Sequence, residues 1–197
     1  SFSDLVTSDL GRIDAFHRAA GEFTDYVSSG EFDILEIGSR RRLATKSMFD
    51  VREVARTYVG IDILEGPNVD FVCDAHQLTD HVGVSKFDII YSQYVFEHLA
   101  MPWVTVSEIN RALRMHGECF IITNQSIGLH DLPWDFWRFS ESAWRTLFNQ
   151  DTGFELIKFG LGEPVHITPR RYHDGFRDHE GGVGFQASFA WARKVRD

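Results

Sequence analysis

Apolar positions in this chain fall into two kinds of run. Short continuous runs occur at Asp33-Ile-Leu-Glu-Ile37, Tyr58-Val-Gly-Ile61, Val69-Asp-Phe-Val-Cys73, Phe87-Asp-Ile-Ile-Tyr91 and Glu118-Cys-Phe-Ile-Ile-Thr123. Such runs suit strands of a parallel sheet buried on both faces. Strands are therefore expected at about 33–37, 57–62, 69–73, 87–92 and 118–123. Elsewhere apolar residues recur at helical spacing. Leu43 to Ala55 is helix-like, and Trp103, Val106, Ile109, Asn110 and Leu113 mark an amphipathic helix entered at Pro102 and stopped near Gly117. Leu10, Ile13, Phe16 and His17, then Phe23, Tyr26 and Val27, predict one or two helices within residues 4–29, interrupted by Gly11 and Gly21. This segment is expected to cap a sheet edge.

The tail reads differently. Ser140 is expected to cap a helix from Glu141 to Asn149, with Trp144, Leu147 and Phe148 on one face. Phe154 to Phe159 and Phe185 to Lys194 follow as strands. The second alternates, with Phe185, Ala187, Phe189 and Trp191 on one side. Between them lies a long segment, Gly160 to Gly184, rich in Gly, Arg and His and expected to be a loop. Strand–helix–strand order with right-handed crossovers gives a doubly wound sheet.

Composition narrows the function classes. The chain has 197 residues, enough for one domain with a real core, and a formal charge of −9. That charge argues against an extended nucleic-acid surface, and Arg40-Arg41-Arg42 is too short a run to change this. Cys73 and Cys119 are expected on strands that are not neighbours, so no disulfide is predicted and a reducing, cytoplasmic compartment fits. No apolar stretch reaches the roughly 18 residues of a membrane span. The first residues lack the basic-then-apolar order of a signal peptide. The chain begins with Ser1, which is compatible with processing or with excision from a longer protein.

The strand tips carry the chemistry. The first ends in Glu36-Ile-Gly-Ser39, the second in Gly60-Ile-Asp62, the third in Cys73-Asp-Ala-His76, and the fourth in Ser92-Gln-Tyr-Val-Phe-Glu-His-Leu99. In open α/β sheets ligands bind at that edge. With Glu108-Ile-Asn-Arg-Ala-Leu-Arg-Met-His-Gly117 leading into the fifth strand, the order resembles the class I S-adenosylmethionine-dependent methyltransferases, of the small-molecule branch, over about residues 31 to 194. The resemblance implies an α/β fold: a doubly wound, mostly parallel, seven-stranded Rossmann-like sheet with an antiparallel last strand and helices on both faces. It also implies one domain, 1–197, with a helical cap (1–30), a cofactor-binding half (31–125) and an acceptor-side half (126–197).

In that family Gly38 would pass under the methionine end of S-adenosylmethionine, and Glu36 would act indirectly, through water or by holding the loop. The family's second glycine is replaced by Arg40, so the cradle should be reshaped. Asp62 would accept from the ribose hydroxyls, a bidentate geometry suited to a carboxylate. Ile63 would lie against the adenine, Asp74 would accept from its amino group, and the Ala75 N–H would reach a ring nitrogen. Ser39, His76, Ser92 and Gln93 complete the expected cofactor set. A nicotinamide-binding fold would want Gly-x-Gly-x-x-Gly, which is absent here.

Methyl transfer needs a base only when the acceptor must lose a proton. His98 and His130 are the candidates. The segment His130-Asp-Leu-Pro-Trp-Asp-Phe-Trp-Arg-Phe139 alternates aromatic and charged residues. Asp131, Trp134, Trp137 and Arg138 would recognise a small hydroxylated acceptor, such as a sugar or glycan. Some quinone-pathway relatives hold a metal through Glu-x-x-Glu-His; Tyr94 stands at the first of those positions, so no metal is predicted. The histidines and arginines at His166, Arg170, Arg171, His173, Arg177 and His179 lack diagnostic ligand spacing. A non-catalytic cofactor-binding module is the alternative that the departure at Arg40 leaves open.

Overall fold

The computed structural model describes residues 2–41, 51–167 and 183–197, with side chains for 15–41, 51–165, 167 and 184–197. Residues 43–50 of the helix predicted from Leu43 to Ala55 lie outside the described residues, and residues 51–55 form a turn instead of a helix; the side chains of Leu10, Ile13 and His166 and the later loop residues Arg170 to His179 also lie outside the described residues.

A long helix α1 (Phe2–Ser28) opens the chain. It runs unbroken through Gly11 and Gly21. Strands β1 (Asp33–Ile37), β2 (Thr57–Asp62) and β3 (Phe71–Val72) follow, then a 3-10 turn at Ala75–Gln77 and a short helix α2 (Leu78–Val82). Strand β4 (Phe87–Gln93) leads through a second 3-10 turn (Phe96–His98) to α3 (Pro102–Ala112) and β5 (Leu113–Asn124). Helix α4 (Glu141–Leu147) and a third turn (Gln150–Thr152) precede β6 (Phe154–His166) and β7 (Val183–Lys194).

The strands form one seven-stranded sheet in the order β3-β2-β1-β4-β5-β7-β6. The first five are parallel, and β7 runs antiparallel to both β5 and β6. All five residues of β1 are buried, as a central parallel strand requires. On one face Phe23 of α1 stacks on Phe120 at 4.6 Å, with Phe16, Val27, Phe189 and Trp191 around them. On the other face α2, α3 and α4 pack Leu78, Val106, Ile109, Trp144 and Leu147 against Leu35, Ile90 and Ile121. Burial of these apolar side chains drives both layers together, at about 25 cal/mol per Å² of apolar area removed from water.

Several expectations change. Helix α1 covers a sheet face instead of capping an edge, because its aromatics find partners on β5 and β7. His17 is exposed, outside the buried stripe. Only Phe71 and Val72 pair in β3. Helix α3 stops at Ala112, and Leu113 already pairs with Phe87; the ladder then jumps to Ile89 opposite Glu118. The intervening bulged stretch of β5 carries Arg114 to Asp33 and Asp88, each at 2.8 Å, which pins the bulge. Ser140 holds the N-cap position of α4 without a side-chain cap bond. Strand β6 extends through Gly160 to His166, a stretch the sequence read as loop, because β7 offers it a continuous partner.

Candidate functional site

The carboxyl ends of β1, β2, β3, β4 and β5 meet at one edge of the sheet. Gly38 follows β1 with φ +81°, and a Cβ there would sit 2.1 Å from Cγ2 of Val95. Only glycine allows both the left-handed backbone and this approach. The Gly38 and Ser39 amides both donate to the Ile61 carbonyl, at 2.8 and 2.9 Å, which ties the first turn to β2. Ser92 donates to the Ile37 carbonyl at 3.0 Å, tying the same turn to β4.

Glu36 is buried beneath this turn. Its carboxylate accepts from the hydroxyl of Tyr91 at 2.6 Å and from that of Tyr58. Asn68 donates to the Tyr58 hydroxyl at 2.8 Å and to the Ser39 carbonyl at 3.2 Å. Burial first, and then the charge of Glu36, push both tyrosine hydroxyls far above their ordinary range, so they remain donors. Glu36 thus holds the loop, and the tyrosines that do so were not among the predicted site residues. Their signal in the sequence is slight: a tyrosine in each strand flanking β1.

Asp62 ends β2. Its carboxylate accepts from the Leu64 amide at 2.9 Å and lies 3.5 Å from Nε of Arg40. Arg40 packs its stem on Gly66, and its guanidinium lies against Asp62. Ser39 Oγ and Arg40 Nε are buried without a hydrogen-bond partner. Ile63 is 62% exposed beside them.

Asp74 caps the turn after β3 and accepts from both the backbone and the ring of His76, at 2.9 and 2.5 Å. Partial burial raises the pKa of Asp74, but these hydrogen bonds outweigh it and the carboxyl sits below its ordinary range. His76 in turn accepts from the Met101 amide at 3.1 Å. It therefore braces the edge between β3 and α3. Ala75 is buried under this turn, and Gln93 ends β4.

The second group of residues gathers at the ends of β4 and β5. Glu97 is fully buried. It accepts from the Thr123 hydroxyl and from the Asn124 amide. Nε2 of His98 and Nε2 of His130 each lie 3.9 Å from Glu97 Oε1, and the two rings meet edge to face at 5.0 Å. His98 Nδ1 is 2.7 Å from the Trp134 carbonyl, and His130 Nδ1 is 3.1 Å from the Gly128 carbonyl. Sequence reading missed Glu97, Thr123 and Asn124 as site residues, although the two polar residues ending an apolar strand were a usable sign.

The loop 130–139 is built on that cluster. Phe136 and Trp137 amides donate to the Glu97 carbonyl at 2.8 and 3.1 Å. Asp135 receives Arg138 bidentately, at 2.6 and 2.8 Å, and the His130 amide at 3.0 Å. The guanidinium beside it holds the Asp135 carboxyl far below the usual range. Arg138 also donates to the carbonyls of Ile127, Trp137 and Gly128. It is a buttress of the loop, which leaves little of it for an acceptor. Asp131 is exposed at a left-handed backbone position. Phe139 is buried and stacks on Trp144, whereas Trp134 is 65% and Trp137 38% exposed. Trp137 donates to the Leu99 carbonyl at 2.8 Å and meets exposed Trp103 edge to face.

This edge matches a known architecture. The sequence fits the family model described as a methyltransferase domain over residues 12–158. The chain belongs to the S-adenosylmethionine-dependent class I methyltransferases. The solved fold is shared widely. A Burkholderia thailandensis 1,6-didemethyltoxoflavin-N1-methyltransferase, solved with 1,6-didemethyltoxoflavin and S-adenosylhomocysteine, superposes with a TM-score of 0.63 at 17% identity, over 99% of this chain and 87% of that one. A methyltransferase from Archaeoglobus fulgidus gives 0.63 at 15% identity, over 90% and 94%. One from Aquifex aeolicus gives 0.56 at 14%, over 99% of each chain. No curated protein sequence matches this methyltransferase. Among its described residues no helix is long and apolar enough to cross a membrane.

Proposed function

We propose that this methyltransferase transfers its methyl group to a small hydroxylated acceptor of sugar or glycan type, seated between the Glu97–His98–His130 cluster and the exposed faces of Trp134 and Trp137. The observation that carries the reading is the convergence of two imidazole nitrogens on a buried carboxylate beneath an aromatic rim. Aromatic faces suit the apolar side of a sugar, and the polar cluster suits its hydroxyls.

On the cofactor side, Asp62 is the ribose ligand, Ile63 the adenine platform and Asp74 the partner of the adenine amino group. Ser39 Oγ, buried at the first turn without a hydrogen-bond partner, supports a polar ligand there, because buried donors and acceptors are otherwise satisfied. S-adenosylmethionine, when bound, supplies a methyl group on a positive sulfur that departs as a neutral thioether.

The protein's work is alignment and proton removal. The His130 Nδ1 faces a carbonyl, which only accepts, so Nδ1 carries the proton and Nε2 presents a lone pair. Nε2 takes the acceptor's hydroxyl proton as its oxygen bonds the methyl carbon, and Glu97 stabilises the imidazolium that results. His98 has the same orientation and holds the neighbouring hydroxyl. Cys73 and Cys119 are both free and buried, which supports a reducing, cytoplasmic setting.

The test is a screen of sugars and glycans for transfer of a labelled methyl group, followed by Trp134→Ala. Loss of one aromatic platform should raise KM about 3- to 10-fold with kcat little changed, the scale of one aromatic contact. Methylation of an acceptor without hydroxyl groups, with KM indifferent to Trp134, refutes the assignment.

A further inference from the structure

We infer that Glu97, His98 and His130 form a divalent-cation site. Their ligand atoms all lie within 4.8 Å of one another. Nδ1 of His98 faces the Trp134 carbonyl and Nδ1 of His130 faces the Gly128 carbonyl, so both protons sit on Nδ1. Both Nε2 atoms then carry bare lone pairs, and both lie 3.9 Å from Glu97 Oε1. Three acceptors thus lie within 4.8 Å of one another with no donor among them, and each histidine stands too far from Glu97 for a direct hydrogen bond. A cation among them resolves the conflict.

The geometry is close to what a metal needs. Ligand bonds of about 2.0–2.2 Å in a tetrahedral site set ligand atoms about 3.4 Å apart, so each Nε2–Glu97 distance of 3.9 Å must close by about half an ångström, and no pair within the 4.8 Å cluster by more than about 1.4 Å. The histidine side chains, 23% and 31% exposed, have room to make this movement. The surroundings also match a metal site. Metal-binding histidines commonly donate their other ring N–H to a carbonyl or carboxylate, as both do here, and ligating carboxylates are themselves hydrogen-bonded, as Glu97 is by Thr123 and Asn124. Glu97 is a fully buried carboxylate whose ion-pair contacts among the described residues are these two histidines. Arg138, the neighbouring guanidinium, is committed to Asp135. A buried charge of this kind calls for a cation.

Two imidazoles and one carboxylate favour zinc or a similar borderline ion over magnesium, which prefers oxygen ligands. Three protein ligands leave open positions, which vicinal hydroxyls of the acceptor would fill. The cation would lower the pKa of a bound hydroxyl, its proton passing to solvent; without the cation, His130 remains the proton acceptor. This catalytic use rests on the acceptor reading above, whereas binding of the ion does not.

Chelator-treated protein is titrated with Co2+, followed by its visible d–d absorption, and with Zn2+, followed by calorimetry and by melting temperature. One saturable ion per chain and a Zn2+-dependent rise in melting temperature are expected. His98→Gln and His130→Gln should each weaken binding at least about tenfold. Absence of saturable binding, no thermal shift with Zn2+, or Co2+ affinity in the double variant equal to that of the unaltered protein overturns the site. Because neither cofactor nor acceptor is present, a failure of methyl transfer leaves this result intact.

Discussion

Gly38 offers a test in which two physical costs separate. Alanine at this position must adopt φ near +81°, which costs an L-residue about 1–2 kcal/mol. Its Cβ would also lie 2.1 Å from Val95 Cγ2, an overpacking that costs about 1–3 kcal/mol once neighbours shift. Gly38→Ala is therefore expected to lose about 2–5 kcal/mol, read as the midpoint of urea unfolding followed by tryptophan fluorescence. Val95→Ala alone removes two partly buried methyl groups and should cost about 1–2 kcal/mol. The double variant removes the clash but keeps the strained backbone. It should be more stable than the sum of the single losses predicts by about 1–3 kcal/mol, because residues in contact do not add. If the two losses simply add, within about 0.5 kcal/mol, Val95 does not force glycine at this turn, and the close approach of the β1 and β4 loops plays no part in shaping the cofactor edge.

Two further outcomes follow from the same edge and its opposite. Asp62→Ala should weaken S-adenosylhomocysteine binding in calorimetry by about 1–3 kcal/mol, the scale of hydrogen bonds to a charged group; an unchanged Kd removes it as the ribose ligand. At the other end of the sheet, Arg56 first, with Thr57 and Arg114, outweighs burial and holds the Asp33 carboxyl far below its usual range. Because the folded pKa is depressed, the stability it contributes is present above about pH 4 and is lost as pH falls below that value. Asp33→Asn should flatten the fall of melting temperature with acid; an unchanged slope contradicts the assignment.

The strands were legible because a parallel sheet covered on both faces demands continuous apolar runs, and Ile34, Leu35 and Ile37 supply one that admits little else. Boundaries were less so. Nothing local to Leu113 distinguishes the end of a helix from the start of a strand; the partner Phe87 and the clamp of Arg114 on Asp33 and Asp88 decide it. Gly160 to His166 looks like a loop until β7 lies alongside. Side-chain direction was equally hidden. Arg138 reads as an acceptor ligand in sequence, yet Asp135 and three carbonyls consume its donors.

Periodicity and the residues at the strand tips, both properties of neighbouring residues, marked the parallel strands, set Gly38, Asp62 and Asp74 at strand ends, and carried the resemblance that implied the fold class and the cofactor. The Glu97–His98–His130 cluster was decided by tertiary structure. Glu97 and His130 stand 33 positions apart, and they meet only because β4 and β5 pair in parallel and deliver both loops to one edge. Pairing of that kind depends on burial and hydrogen bonds summed over the whole sheet, which no single segment of the chain encodes.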